Sequence, residues 1–106
     1  MDGLTDQVVA PHLATVSDAL AKLQHEDLWR LDGDQALAAT RAAYELVEQA
    51  HAAALELLAE TNARSLAREA GASSTQAWLS ATRRMRPGVA KRDVETAKLV
   101  RHAVEA

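Results

Sequence analysis

From His12 onward, apolar residues recur three and four positions apart: Leu13, Val16, Ala19, Leu20 and Leu23. That spacing marks one face of an α-helix and predicts a helix over about 12–24. Pro11 suits its first turn, where the missing N–H costs nothing. Ahead of it, Thr5 or Asp6 is expected to cap a short turn. After Gln24 the segment His25-Glu26-Asp27 leads into Leu28-Trp29-Arg30-Leu31. This reads as a single helical turn that docks Trp29 into the core. The alternative is an exposed Trp29 used for base stacking or partner binding.

Asp32-Gly33-Asp34-Gln35 is the clearest helix start. An Asp at the cap with Gln three residues later resembles a capping box, and the acids suit the positive end of the helix dipole. No Pro or Gly follows until Gly71, so a long helix is expected over about 34–64. It carries two seams. One holds Leu37, Tyr44, Val47, Ala54 and Leu58; the other holds Ala39, Ala43, Leu46, Ala50, Ala53 and Leu57. Two adjacent seams imply a central helix with neighbours on two sides, in the same chain or in a second copy. His51 lies in the first seam and is expected to be a hydrogen-bonded, partly buried histidine.

Thr61-Asn62-Ala63-Arg64-Ser65 is a polar patch of poorer helix formers, where the helix is expected to break. Ser65 is then expected to cap a short helix, Leu66 to Ala70. Gly71 fits the left-handed position just past a helix end. Ser73 and Gln76 form a second capping-box pattern, opening a helix over about 74–85 with Trp78, Leu79 and Thr82 near its inner face. Arg86-Pro87-Gly88 breaks the chain again. A last helix over about 87–104 carries Val89, Val94, Ala97, Val100 and Val104 at helical spacing. The expected fold is all-α, one domain over 1–106, with four main helices, a long central one, and a helix-turn-helix-like segment over 66–86.

Composition narrows the possibilities. The chain has 106 residues, 3% aromatic content and no Phe, so its core must be built from Leu, Val and Ala. There is no Cys, which excludes disulfides, thiolate zinc sites and Cys nucleophiles. No apolar run approaches the roughly 20 residues of a membrane span, and the MDGLTDQ start is acidic where a secretory signal is basic. A cytoplasmic protein is expected. The net charge of −3 hides a division: Met1–Glu60 holds 11 acids and 3 bases, or −8, and Thr61–Ala106 holds 4 acids and 9 bases, or +5. Such asymmetry hints at an anionic partner for the basic half. It is equally met by pairing of the two halves, within one chain or across a dimer.

Ala67 and Gly71, four residues apart and followed by a capped helix, have the spacing of a helix-turn-helix. In that reading Ser73, Ser74, Thr75 and Gln76 open a recognition helix that faces base edges and phosphates. Arg83, Arg84, Arg86, Lys91 and Arg92 hold phosphates, with affinity falling steeply as salt rises. A plain αα-corner makes the same demands on Ala67 and Gly71. A catalytic role has little behind it. There is no Gly-rich phosphate loop and no nucleophile at recognisable spacing from a base, and His12, His25, His51 and His102 lie far apart in sequence. No cofactor, metal or small-molecule ligand is expected.

The segment LAREAGASSTQAWLSATRRMRPGVAKRDVETAKLV, Leu66 to Val100, resembles the actinobacterial thirteen-E-twelve repeat family. The resemblance rests on Gly71, the Ser74-Thr75 pair, Trp78-Leu79 and Pro87 opening a basic helix, together with the long Ala/Leu/Glu helix and the Leu-Trp-Arg-Leu start. It covers roughly residues 28–104. The family is a helical domain of unknown function that often precedes an HNH endonuclease domain. The resemblance therefore implies a helical module that binds or targets nucleic acid, with DNA as partner. Arg86 stands where the family usually has Ser or Thr. No His-Asn-His constellation is present, so nuclease chemistry is not implied, and the chain is expected to be the N-terminal part of a larger architecture. The alternative is a helical oligomerisation or protein-interaction module, a homodimer in its simplest form.

Overall fold

The structure is a computed structural model that describes the backbone of residues 9–105 and the side chains through Arg101. The caps expected at Thr5 or Asp6, and Val104 of the last apolar face, lie outside the described residues. The fold is all-α: α1 spans Ala10–Gln24, α2 Gly33–Ala63, α3 Leu66–Glu69, α4 Thr75–Arg83 and α5 Pro87–Glu105, with a 3-10 turn at Leu28–Arg30. Among the described residues there is no strand, and no helix is long and apolar enough to cross a membrane. The chain divides into two compact units at Thr40 and Arg41, inside α2.

In the first unit, α2 starts as its sequence dictates. The Gln35 amide donates to Asp32 Oδ1 at 2.8 Å, and the Asp32 amide donates to Gln35 Oε1 at 3.1 Å. This reciprocal box satisfies two of the amides that a helix start leaves orphaned. Pro11 sits within the first two positions of α1. No described residue of this unit is buried, and Leu13, Val16, Leu20 and Leu23 are all exposed.

Trp29 overturns an expectation. It is not docked in a core but 80% exposed, with the Arg30 guanidinium 5.5 Å from the ring centroid. Leu28 and Leu31 on either side of it are exposed too, and no described residue of the first unit is buried, so the turn has no core to dock into. A guanidinium over an exposed indole contributes about 0.5–1 kcal/mol.

The second unit has the core. Leu58 and Ala59, near the end of α2, pack with Val94 and Ala97 of α5, and Leu55 and Leu79 lean against them. Ala90 and Ala97 are 0% exposed. The inward stripe of α5 is thus 90, 94 and 97, a helical i, i+4, i+7 row. Val89, expected on this face, is one position off it and exposed. Of the two seams of α2, Leu37, Tyr44, Leu46, Val47 and Leu57 are exposed, and Leu58 and Ala59 are the residues of the helix that are buried among those described. Each fully buried Leu or Val contributes about 1.5–3 kcal/mol, so the strain carried by the connecting turns is a sizeable fraction of what so small a core supplies.

Those turns depend on left-handed residues. Ser65 breaks the helix as expected, but through its backbone: it adopts φ 54°, ψ 33° and its side chain makes no cap bond. Gly71 takes φ +94°. The Ala72 amide donates to the Ala67 carbonyl at 2.9 Å and the Gly71 amide to the Arg68 carbonyl at 3.0 Å, the two bonds of a Schellman turn. A second turn of this kind closes α4: Arg84 is left-handed at φ 52°, and the Met85 amide donates to the Ser80 carbonyl at 3.0 Å. No atom lies within 4 Å of where a Cβ on Gly71 would stand, so Gly71→Ala costs backbone strain alone, about 1–2 kcal/mol. Arg84→Gly removes the same strain and is expected to stabilise the protein by about 1 kcal/mol. Thermal unfolding followed by circular dichroism should move by several degrees in opposite directions for the two variants, roughly 4–8 °C per kcal/mol in a domain this small.

Candidate functional site

The residues singled out by sequence fall into two groups. Arg83, Arg84, Arg86, Lys91 and Arg92 are all exposed. Arg83 ends α4, Arg84 supplies the left-handed turn, and the Arg86 carbonyl accepts the Val89 and Ala90 amides that begin α5. Lys91 and Arg92 follow in the second turn of α5. None of the five is in an ion pair among the described residues. The carboxylates pair elsewhere: Asp27 with Arg30 at 3.8 Å, Glu60 with Arg64 at 3.9 Å and with Arg101, and Asp93 with His51 at 3.4 Å. Pairing of the acidic half with the basic half therefore occurs at Glu60, with Arg64 and Arg101, and does not reach the run from 83 to 92. His51 is more exposed than its place in the seam implied.

Charge placement here works against helix stability at one end. Arg83 and Arg84 lie at the negative end of the α4 dipole, where cations are favoured. Arg86 and Lys91 lie at or near the positive end of α5, whose first turn contains no acid. Cations there are disfavoured by a few tenths of a kcal/mol each and raise the local positive potential.

The second group, Ser73 to Gln76, does not present four side chains outward. Ser73 is exposed. Ser74 is the true N-cap of α4: its backbone is extended and its Oγ accepts the Ala77 amide at 3.0 Å. The cap expected at Ser73 is therefore one residue early: Ser73-Gln76 and Ser74-Ala77 offer the same spacing of hydroxyl and amide, and it is Ser74, in extended backbone, that makes the bond. Thr75 is a correction to the expected interface. It is 9% exposed and its hydroxyl donates to Asn62 Oδ1 at 2.7 Å, which ties the start of α4 to the end of α2 and leaves nothing for a phosphate. Gln76 and Trp78 are half-buried.

A cleft of about 360 Å³ opens beside that tie, lined by Asn62, Ser65, Arg68, Ser74, Gln76 and Lys98, with Thr75 and Val94 in its wall. Sequence reasoning passed over Asn62, Arg68 and Lys98. The polar patch at 61–65 marked a helix break, but nothing in a linear reading places Lys98 beside it. A second cleft, about 490 Å³, lies between Ser74, Gln76, Ala77, Ser80, Ala81 and Pro87. Its Ser80 hydroxyl already donates to the Met85 carbonyl at 2.6 Å. Among the described residues no three His, Asp or Glu side chains come together as a metal would require.

The two serines can be told apart by stability. Ser74→Ala removes a cap and is expected to cost about 1 kcal/mol, whereas Ser73→Ala is expected to stay within about 0.5 kcal/mol. Urea unfolding of both variants measures the difference, and equal losses would contradict the assignment of the cap.

Compared with known proteins, the chain matches no protein-family model, no curated protein and no solved structure.

Proposed function

We propose that this chain is a non-catalytic helical module that binds or targets nucleic acid, of the kind associated with HNH endonucleases. The observation that carries the reading is the run Arg83, Arg84, Arg86, Lys91 and Arg92, exposed and without carboxylate partners among the described residues. A polyanion supplies the missing counter-charge, and its phosphates gain from the positive end of α5. The resemblance of residues 28–104 to the thirteen-E-twelve repeat family supports the same class, and Arg86 adds a cation where that family usually has Ser or Thr. The helix-turn-helix-like segment over 66–86 enters this reading in a reduced form. Its first helix, α3, has four residues and Thr75 faces inward, so contact through phosphates is favoured over insertion of α4 into a groove. Ser73 joins the five cations at the interface, while Gln76 lines the cleft beside Thr75.

Fluorescence anisotropy with a labelled DNA duplex tests this. Binding in the micromolar range at low salt is expected, with log K falling linearly against log salt at a slope of about −0.9 per phosphate contact. Arg83→Glu, Arg84→Glu and Arg86→Glu together should abolish binding while leaving the helical signal intact. No binding of the wild-type chain at low salt removes the reading.

A second reading, self-association, is favoured by a different observation. Leu13, Val16, Leu20 and Leu23 of α1 are exposed at 3-4-3 spacing, the a/d seam of a two-heptad coiled coil. Leu37, Tyr44 and Val47 repeat a heptad pattern on α2 and are exposed too. Large apolar side chains left bare in regular rows mark an interaction surface, and a second copy of the chain offers the identical rows in return, giving a homodimer. The two readings are compatible. Light scattering is expected to give a dimer at micromolar concentration and a monomer for Val16→Glu with Leu20→Glu; a monomeric wild-type chain counts against self-association.

A further inference from the structure

The cleft beside Thr75 has a chemistry distinct from the basic run, since none of Arg83, Arg84, Arg86, Lys91 or Arg92 lines it. Two cations face it from different helices, Arg68 of α3 and Lys98 of α5, and its lining contains no carboxylate. Neither cation is in an ion pair among the described residues. Both are exposed cations on one concave site, and an anion seated between them is attracted by both.

The uncharged lining groups favour the same ligand. Because the Thr75 hydroxyl donates to Asn62 Oδ1, the Asn62 carboxamide is oriented, and its Nδ2 carries two N–H donors that no other described group takes up. Ser74 Oγ accepts the Ala77 amide and so keeps its own proton to donate. Ser65 makes no cap bond with its side chain. The cleft is therefore rich in donors, poor in acceptors and positively charged. A guanidinium fork, an ammonium, a carboxamide and hydroxyls arriving from separate elements suit a tetrahedral oxyanion, which accepts along many directions, better than a planar carboxylate. The volume of about 360 Å³ holds more than a bare oxyanion and leaves room for an attached group.

The geometry points to a binding site for the phosphate group of a phosphate monoester in this cleft. The site does not depend on the nucleic-acid reading, and the two can fail separately.

Nuclear magnetic resonance titration of the labelled full chain tests it, with inorganic phosphate, adenosine 5′-monophosphate and, as control, adenosine. Both phosphates should give saturable shifts centred on the side-chain amides of Asn62 and Gln76 and the Arg68 Nε–H, and adenosine should give none. A free monoester and a nucleic-acid end are separated by a 5′-phosphorylated oligonucleotide set against its 5′-hydroxyl form: equal binding of the two, with the mononucleotide still bound, assigns the site to the free monoester. Arg68→Gln and Lys98→Gln should each weaken phosphate binding by about tenfold or more, as expected for losing a charge-assisted hydrogen bond. Asn62→Asp keeps an acceptor for the Thr75 hydroxyl, so the fold is retained, but replaces two donors with a negative charge and should abolish binding. Arg83→Glu with Arg84→Glu and Arg86→Glu should leave phosphate binding unchanged. Linear, non-saturating shifts spread over the basic residues, or full binding by the Asn62→Asp chain, overturn the proposal.

Discussion

The second unit depends on the close approach of α5 to the end of α2, and that approach depends on small side chains. Ala90 and Ala97 are fully covered, and Val94 between them meets Leu58 and Ala59. With no Phe in the chain, apolar area cannot come from a few large rings. It must come from many thin contacts, which require the backbones to be near each other. Close approach in turn demands tight connections. Between the end of α2 and the start of α5 the chain reverses at Ser65, Gly71 and Arg84, all at positive φ. Glycine takes such a conformation without strain, while the serine and the arginine store about 1–3 kcal/mol each. That strain is tolerated because the packing on either side leaves no alternative course for so short a loop.

Electrostatics reinforces the same contact. Glu60 on α2 reaches Arg101 on α5, and His51 on α2 faces Asp93 on α5. Surface pairs of this type contribute at most about 1 kcal/mol each, so they set the register of the two helices more than they hold them together. Their larger consequence is what they omit. Among the described residues no ion pair reaches the cations of 83–92 or the Arg68 and Lys98 that line the Thr75 cleft.

The first unit presents the opposite problem. The end of α1 and the start of α2 are well bonded, with the His25 and Glu26 amides turned back to Lys22 and Leu23 and the Asp32–Gln35 box opening the next helix. Local structure is satisfied, yet the apolar rows of α1 and early α2 have no cover. An isolated 15-residue helix is marginal in water, so burial of those rows is where its stability must come from. The self-association proposed above would bury those rows, and the cations of 83–92 are not among them, so the two proposed roles do not compete.

Much of the local structure was legible in the residues themselves. Helical periodicity, the Asp32–Gln35 box, the break at 61–65, the left-handed glycine at 71 and the start at Pro87 each depend on neighbours within about five positions, and the chain carries that information directly. One local error is local in cause, the cap that moved from Ser73 to Ser74; Trp29 is exposed because the described part of the first unit buries nothing. What the linear pattern left open was which of several apolar faces would be covered. Leu57 and Leu58, or Val89 and Ala90, are neighbours of similar hydropathy, and only the packing of α5 on α2 decided that Leu58 and Ala90 go inside. The same packing turned Thr75 toward Asn62 and brought Lys98 to the cleft that Arg68 lines, across 30 residues of chain. Sequence by itself determined the helices, because their hydrogen bonds are short-range; tertiary structure alone decided the sites, because convergence of distant side chains is a property of how helices stack.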